Sequence, residues 1–190
     1  ASGRNSSRGM PVTAQSGSTR MLERMNRKYT RGWYLDRSAA MRRYLPDCAI
    51  TTDLIAGFCG EQPEDHEATL SLMREVGYEF AYMFKFSERP NTFAQRHMKD
   101  DISDEVKTAR LNEIIALQNE LSAWSNARDV GKEFEILIEG VAKRSDAQLI
   151  GRISQNTVVA IARGDCRIAE YVWHRGRRSY SASRRRVVSA

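Results

Sequence analysis

The sequence is poor in the features that mark several large protein classes. It contains no run of 18 apolar residues, so no transmembrane helix is predicted. It has no P-loop and no GxGxxG phosphate-binding motif. The first ten residues (ASGRNSSRGM) lack the apolar core of a secretory signal. These absences favour a cytoplasmic protein that does not span a membrane.

Metal-ligating residues are also few. The three cysteines, Cys48, Cys59 and Cys166, match no spacing typical of a zinc or iron–sulfur site. An odd number of cysteines without a secretory signal favours reduced thiols over a disulfide framework. The three histidines are widely separated, and we expect His66 to lie on an exposed helix face. The sequence therefore predicts no metal site.

The net charge of +6 comes from the C-terminal end of the chain rather than from its body. Residues 174–190 contain six arginines and no acid, whereas the rest of the chain balances 24 basic against 24 acidic residues. Clustered arginines attract phosphate backbones, which would suit an RNA-attracting arm. The abrupt change to Arg and Ser also fits an aberrant end that does not fold. We favour the second interpretation.

Periodicity predicts an α/β fold for the larger part of the chain. Helices are expected over 18–25 and from the N-cap Thr30 to about Tyr44. Residues 48–55 form a β-branched, apolar run that suits a buried strand. A helix opened by Pro63 and capped by Gly77 separates this run from a second strand over 80–86. This strand–helix–strand spacing predicts a parallel sheet, followed by a long helix over 101–128.

After about residue 129 the pattern changes to short, regularly spaced strands. EFEILIEG (133–140) alternates in hydropathy, and LIGRIS, TVVAIA and RIAEYVW follow it. Such spacing is typical of a small β-barrel. We therefore predict four regions: a disordered or aberrant lead-in (1–13), an α/β region (14–129), a β-barrel (130–173) and an unfolded tail (174–190).

The best candidate site lies where the first buried strand ends. Ligands of α/β proteins bind beyond the carboxyl ends of strands, where Asp53 and Gly57 stand. Glycine there permits close approach of a ligand to the backbone, although a simple tight turn is the favoured explanation of this signal on its own. The segment Gln15–Ser18 offers amide and hydroxyl groups to a polar ligand, or forms a flexible loop.

Four segments carry a resemblance to a known family. They read AQSGSTRMLERMNRKYT (14–30), ITTDLIAGFCGE (50–61), MFKFSERPNTFA (83–94) and RLNEIIALQNELS (110–122). In this order they resemble the tRNA methylthiotransferases, radical SAM enzymes of the MiaB type, from about Pro11 to about Trp173. The CxxxCxxC motif that holds the radical SAM cluster in that family is absent from this sequence. The resemblance therefore implies a C-terminal portion of such an enzyme, inactive by itself.

The resemblance implies a fold, an activity and partners. Residues 14–129 would be the second half of a radical SAM β/α barrel, and 130–173 most of a tRNA-binding TRAM β-barrel. The family adds a methylthio group to carbon 2 of isopentenyl-adenosine beside the anticodon, using S-adenosylmethionine and 4Fe–4S clusters. The implied partner is the tRNA anticodon stem-loop, with no DNA or membrane partner, and the chain is expected to be a monomer.

Site residues follow from the same resemblance. The residues expected near S-adenosylmethionine are Gln15, Ser16, Ser18, Arg27, Asp53 and Gly57. An arginine in that group would suit the carboxylate of the cofactor. The residues expected to contact RNA are Lys143, Arg144, Arg152 and Asn156, unless they merely form a solvated barrel surface. No catalytic residue or metal ligand is assigned within this segment.

Two alternatives to an enzyme segment remain open at this level. One is a non-catalytic tRNA-binding module that uses the β-barrel, with the α/β part as a scaffold. The other is a damaged gene product, which the Arg-rich tail and the unmatched first residues favour. No residue by itself identifies the isopentenyl group as the substrate.

Overall fold

The computed structural model describes residues 9–143 and 145–176, and the backbone of residues 185–187. Two compact units account for these residues. The α/β unit comprises Pro11–Pro46 and Ile50–Leu121, and the β unit comprises Asp47–Ala49, the described residues from Ser122 onwards and those before Pro11. The division at Leu121 lies eight residues before the boundary that the sequence predicts near 129.

The N-terminal part of the α/β unit runs beside a central strand and then forms two helices. Strand β1 (Gly9–Pro11) is the first described element and ends where the α/β unit begins, and the backbone continues as far as Gln15 beside β2 (Ala49–Ala56). Helix α1 (Thr19–Arg24) falls within the helix predicted over 18–25, and Ser18 is its N-cap. Helix α2 (Arg31–Tyr44) begins after Thr30, whose side chain accepts from the Trp33 amide, and ends before Pro46, which disfavours a helical residue ahead of it.

The predicted strand–helix–strand unit is confirmed. Helix α3 (Pro63–Val76) follows β2, and β3 (Phe80–Lys85) pairs in parallel with β2 from Thr51↔Phe80 to Ala56↔Lys85. Helix α3 has proline at its first turn and Gly77 at its C-cap with φ 64°, a left-handed conformation that glycine adopts without strain. The sheet order is β1-β2-β3.

Two further helices follow β3. The short helix α4 (Phe93–His97) was not predicted from the sequence, because five residues are too few to show a helical period. Helix α5 (Asp104–Ala127) matches the predicted long helix, and the Ser103 hydroxyl accepts from the Val106 amide at its start. In the described part of the chain, no helix combines the length and apolar character that a membrane span requires.

The core of the α/β unit lies between the sheet and its helices. Alternate residues of the strands, including Leu54 and Ala81, pack against Leu72 and Met73 of α3 and Ile114 of α5. The remaining strand residues face the other side of the sheet, since successive side chains of a strand point to opposite faces. That second face carries the candidate site.

The β unit is a five-stranded sheet in the order β7-β4-β5-β6-β8. Its strands are β4 (Glu133–Ala142), β5 (Ser145–Ile153), β6 (Val158–Ala162), β7 (Tyr171–Arg175) and β8 (Arg185–Val187). Four of them fall on the predicted strand segments. Strands β4, β5, β6 and β7 pair antiparallel, whereas β8 pairs in parallel with β6.

The core of the β unit is aliphatic. It consists of Ile136, Ile138, Leu149, Ile153, Val159 and Ile161. Gly151 sits opposite Ile138 in the ladder, and a Cβ there would lie 2.4 Å from the carbonyl oxygen of Leu137. The strands therefore approach at this point more closely than a side chain permits.

Both ends of the chain contain more regular structure than the sequence indicates. Residues 9–11 of the predicted lead-in form β1, while residues 1–8 lie outside the described residues. In the predicted tail, His174 and Arg175 belong to β7, and Arg185–Val187 form β8. The rest of the tail lies outside the described residues.

Candidate functional site

A cavity of about 1000 Å³ lies at the carboxyl ends of β2 and β3, within the α/β unit. Its walls come from Gln15, from residues 23–27, from the ends of both strands and from the chain between β3 and α4. Alternation along the strands turns Asp53 and Phe84 towards the cavity. A cavity of this size at this edge is the usual ligand site of an open α/β sheet.

Gln15, Arg27 and Asp53 form what we call the polar wall of the cavity. The Gln15 amide donates to the carbonyl of Asp53 at 2.8 Å, and the Gln15 carbonyl accepts from the Ile55 amide at 2.9 Å. Gln15 adopts φ 66°, a left-handed conformation that is costly for a residue with a side chain. The Asp53 carboxylate accepts from the Thr13 hydroxyl at 3.1 Å, so its position is held.

Cations outnumber anions around the cavity. The lining includes Arg24, Arg27, Lys85 and Arg89, against the carboxylates of Glu23 and Asp53. Arg24 donates to the Cys59 carbonyl, and Lys85 pairs with Asp104 at 2.8 Å. Among the described residues, no partner forms a hydrogen bond or ion pair with the guanidinium of Arg27 or Arg89. Guanidinium groups of this kind can form charge-assisted hydrogen bonds with an anion.

Three phenylalanines, Phe84, Phe86 and Phe93, form what we call the aromatic wall of the cavity. Phe84 is 52% exposed and Phe93 is 66% exposed, whereas Phe86 packs edge-on against Phe58 with ring centroids 4.9 Å apart. These residues lie in the segment MFKFSERPNTFA, where the alternation of Phe84 and Phe86 indicates that both belong to one face of a strand. Sequence reasoning assigned them no role.

Ser16 and Ser18, two predicted site residues, do not line the cavity. Both are buried against α3: the Ser16 hydroxyl lies 3.3 Å from that of Thr69, and the Ser18 hydroxyl donates to Asp65 at 2.5 Å. Between them, a Cβ on Gly17 would lie 2.2 Å from the carbonyl oxygen of Ala68. The QSGS segment thus turns the chain closely over α3, and only its glutamine reaches the cavity.

Asp65 is the anchor of that turn. Its carboxylate also accepts from the Arg20 guanidinium and from the Gln62 amide. Burial opposes ionisation of Asp65, but the hydrogen bonds from Arg20, Ser18 and Gln62 outweigh it and hold the pKa below its ordinary value. A charged carboxylate therefore fixes the segment that carries Gln15.

Gly57, another predicted site residue, belongs to the loop after β2, which contacts Lys107 and Glu61. It has φ 72°, and a Cβ there would lie 2.3 Å from Cγ of Lys107. Its amide donates to the buried carboxylate of Glu61 at 2.9 Å, which also accepts from Arg110 at 2.9 Å. Burial raises the pKa of Glu61, although the hydrogen bonds from the Gly57 amide and the Arg110 guanidinium act to lower it. Gly57 shapes the loop and is not among the cavity-lining residues.

Sequence reasoning missed Glu61 and Arg110. Both were visible as charged residues near a strand end and on the long helix, but they are 49 positions apart. Nothing in a single sequence indicates that such a pair is buried. His66 was also misjudged: it is buried, because α3 turns it towards Glu113, whose carboxylate lies 2.8 Å from Nε2.

In the β unit, two of the predicted RNA-contacting residues are brought together. The Arg152 guanidinium donates to Oδ1 of Asn156 at 3.0 Å and to the Glu139 carboxylate at 3.0 and 3.1 Å. Lys143 is exposed in the turn between β4 and β5. Arg144 lies outside the described residues.

Within the described ranges, no cluster of three His, Cys, Asp or Glu side chains could hold a metal ion. Cys48 and Cys59 are buried and Cys166 is partly buried, and all three are free thiols. Burial raises the pKa of the Cys59 thiol, which keeps it protonated. The cysteines of this chain therefore do not fit the ligand set of an iron–sulfur cluster.

Curated relatives match most of this chain. It is 60% identical over 163 residues to the tRNA-2-methylthio-N6-dimethylallyladenosine synthase of Phocaeicola vulgatus, covering 86% of this chain and 35% of that protein. The synthase of the same name from Porphyromonas gingivalis is 57% identical over 172 residues, covering 90% and 37%. The chain spans about a third of the length of these relatives. At this identity, the predicted resemblance to the tRNA methylthiotransferases is confirmed.

A solved structure supports the fold independently. Coproporphyrinogen III oxidase from Escherichia coli, described as a radical SAM enzyme, aligns with a TM-score of 0.50 and 18% identity, covering 77% of this chain and 38% of that one. The α/β fold is therefore shared with part of a radical SAM protein. No family model matches the chain.

Proposed function

We propose that this chain is the C-terminal portion of a tRNA methylthiotransferase that adds a methylthio group to carbon 2 of dimethylallyl-adenosine in tRNA. The observation that carries the proposal is the 57–60% identity to synthases of that name over most of the chain. In this account the α/β unit is the second half of a radical SAM barrel. The β unit is a TRAM-like barrel, for which the five-stranded, largely antiparallel sheet is the support.

The cavity is the proposed site for S-adenosylmethionine, and the polar wall fits that ligand. The Arg27 guanidinium, which pairs with no group among the described residues, suits the carboxylate of the methionine moiety. Gln15 and Asp53 offer amide and carboxylate groups to its ammonium and ribose hydroxyls. When bound beside a 4Fe–4S cluster, the cofactor supplies the radical chemistry.

The other predicted cofactor residues act on the polar wall indirectly in this account. Ser16 and Ser18 hold the QSGS turn on α3, which sets the left-handed backbone of Gln15. Gly57, through Glu61, fixes the loop after β2 and with it the end of the strand that carries Asp53. Cluster ligands would come from outside this segment, because its cysteines do not fit that role.

The β unit is the proposed tRNA-binding part. Lys143, Arg152 and Asn156 present cationic and amide groups suited to phosphates and unstacked bases. Arg144, the fourth predicted residue, lies outside the described residues and stays a prediction. Because Arg152 already pairs with Glu139, its contact with RNA would require exchange of that ion pair for a phosphate.

The test is a segment exchange in the Phocaeicola vulgatus synthase. Residues 11–173 of this chain replace the matching segment, and the hybrid is expressed in a strain that lacks its own synthase. Mass spectrometry of tRNA nucleosides then measures 2-methylthio-N6-dimethylallyladenosine. We expect the hybrid to restore the product, and Asp53→Asn within it to lower the yield by about tenfold or more.

A matched control keeps this test interpretable. Asp36 is exposed on α2 outside the cavity, so Asp36→Asn is expected to leave the yield unchanged. A hybrid that is folded and binds its clusters yet forms no product would contradict the proposal. An equal loss in the Asp36 and Asp53 variants would contradict the assignment of the polar wall.

A further inference from the structure

The aromatic wall exposes more apolar surface to the cavity than packing of the fold requires. Phe93 opens α4, a helix with no buried residue, and is 66% exposed. Neighbouring Ala94 and Met98 anchor α4 on the cluster of Met21, Phe58 and Cys59. Phe93 contacts the His97 ring of the same helix, with ring centroids 4.6 Å apart, and the rest of its surface is exposed to a ligand.

Phe86 forms a fixed base for this wall. Its ring and that of Phe58 form a T-shaped pair, and the Lys107 ammonium lies 5.4 Å from the Phe86 centroid. Lys107 is itself buried and paired with Asp100. Phe84, on the same face of β3 two residues earlier, is 52% exposed. A packed ring beside two exposed rings makes a preformed apolar surface, which costs little ordering entropy when a ligand binds.

We propose that the aromatic wall, Phe84, Phe86 and Phe93, binds the dimethylallyl group of the target adenosine. This inference rests on the proposed function, which leaves open what recognises that group. The dimethylallyl group is a branched hydrocarbon of five carbons without a polar atom, so its recognition needs apolar contact and no hydrogen bond. The polar wall lies on other elements, which separates a site for the charged cofactor from a site for the hydrocarbon.

The cavity is large for a small-molecule site. Sites for a single small molecule occupy about 300–1000 Å³, and this cavity is at the upper end of that range with about 1000 Å³. A nucleoside whose hydrocarbon tail lies on the aromatic wall leaves the polar wall to the cofactor. The aromatic wall then distinguishes the dimethylallylated adenosine from the unmodified one.

The test measures binding of nucleosides to the full chain. The probes are N6-dimethylallyladenosine and adenosine, titrated by NMR with saturation transfer to the ligand methyl protons as the reporter. We expect dimethylallyladenosine to bind roughly 30-fold more tightly than adenosine, because several buried carbon groups separate the two ligands. Saturation is expected to be strongest at the two methyl groups of the tail.

Variants of the aromatic wall test whether the dimethylallyl group contacts it. Phe84→Ala and Phe93→Ala are each expected to weaken binding of dimethylallyladenosine by about tenfold and to leave adenosine nearly unaffected. Phe93→Leu, which keeps an apolar side chain, should retain most of the affinity. The matched control is Trp33→Ala, since Trp33 is an exposed aromatic residue on α2 outside the cavity.

Each outcome bears on the inference. Equal affinity for the two nucleosides, no binding of either at millimolar concentration, or unchanged affinity in both phenylalanine variants would overturn it. Titration of S-adenosylhomocysteine on the same samples shows whether only the dimethylallyl site is wrong or whether the proposed function is wrong as well. One result would overturn only the dimethylallyl site: S-adenosylhomocysteine binds, Arg27→Gln weakens its binding, and neither nucleoside binds. That result would support the cofactor site.

Discussion

The two units are stabilised by different kinds of interaction. In the described part of the chain, every buried charged residue lies in the α/β unit: Glu61, Asp65, Lys107 and Arg110, together with His66. The β unit has an aliphatic core, and its ion pairs are exposed, as between Arg152 and Glu139. The α/β unit therefore depends on directional contacts that the β unit does not need.

The difference follows from what each unit holds in place. Buried ion pairs seldom add net stability over an apolar core, but they fix one arrangement of the groups around them. In the α/β unit, Asp65 fixes the turn before α1 and Glu61 fixes the loop after β2. Both segments border the cavity. In the proposed function the β unit has only to present its surface, for which hydrophobic packing is sufficient.

The largest effect is expected from Arg110→Ala. This change leaves the Glu61 carboxylate buried without its guanidinium, and such loss costs roughly 3–5 kcal/mol of unfolding free energy at neutral pH. Chemical denaturation followed by circular dichroism measures it. Arg152→Ala is the matched control in the β unit, where an exposed pair contributes about 0–1 kcal/mol.

The pH dependence of that effect has a definite sign. Because the pKa of Glu61 is raised in the folded protein, the folded state binds its proton more tightly than the unfolded state. The stability that protonation of Glu61 contributes is fully present below its ordinary pKa near 4.5. It is lost as the pH rises through the raised pKa of the folded state. The cost of Arg110→Ala should therefore shrink on acidification. A cost independent of pH would contradict the role assigned to Glu61.

A smaller effect is expected from Ile138→Ala in the β unit. Ile138 is fully buried in the aliphatic core, and truncation there costs about 2–4 kcal/mol. No titratable group enters this estimate, so the same loss is expected at pH 5 and at pH 7. Denaturation of this variant and of Arg110→Ala at both pH values would show whether the two units differ as described.

The smallest of these effects compares two glycines of the α/β unit. Gly17→Ala places a methyl group against the backbone of α3 and is expected to cost about 1–3 kcal/mol. Gly77→Ala meets no atom within 4 Å and loses only the ease of its left-handed conformation, at about 1 kcal/mol. Thermal unfolding measures both. A larger loss at Gly77 would contradict the tight turn over α3.

Much of the fold was predictable because its signals are local. The N-caps Ser18 and Thr30, Pro63 at the start of α3 and Gly77 at its end all act within one helical turn. The alternation of β4 likewise appears in the sequence itself. Of the predicted cofactor residues, Gln15, Arg27 and Asp53 line one cavity.

The rest depends on contacts between distant positions. Gly17 packs closely against α3 and Gly57 against α5, and each helix residue in contact lies some 50 positions further along the chain. The aromatic wall becomes a feature only when β3 and α4 bring Phe84 and Phe93 to one cavity. A single sequence states neither contact, because periodicity shows which face is apolar and not what covers it.

The central claim is that this chain is one part of a larger methylthiotransferase. Sequencing the native transcript upstream of the codon for Ala1 tests it most directly. The account predicts an in-frame Cys-x3-Cys-x2-Cys motif there, with three further cysteines before it. A start signal immediately before Ala1, with no such motif in the same reading frame, would contradict the account.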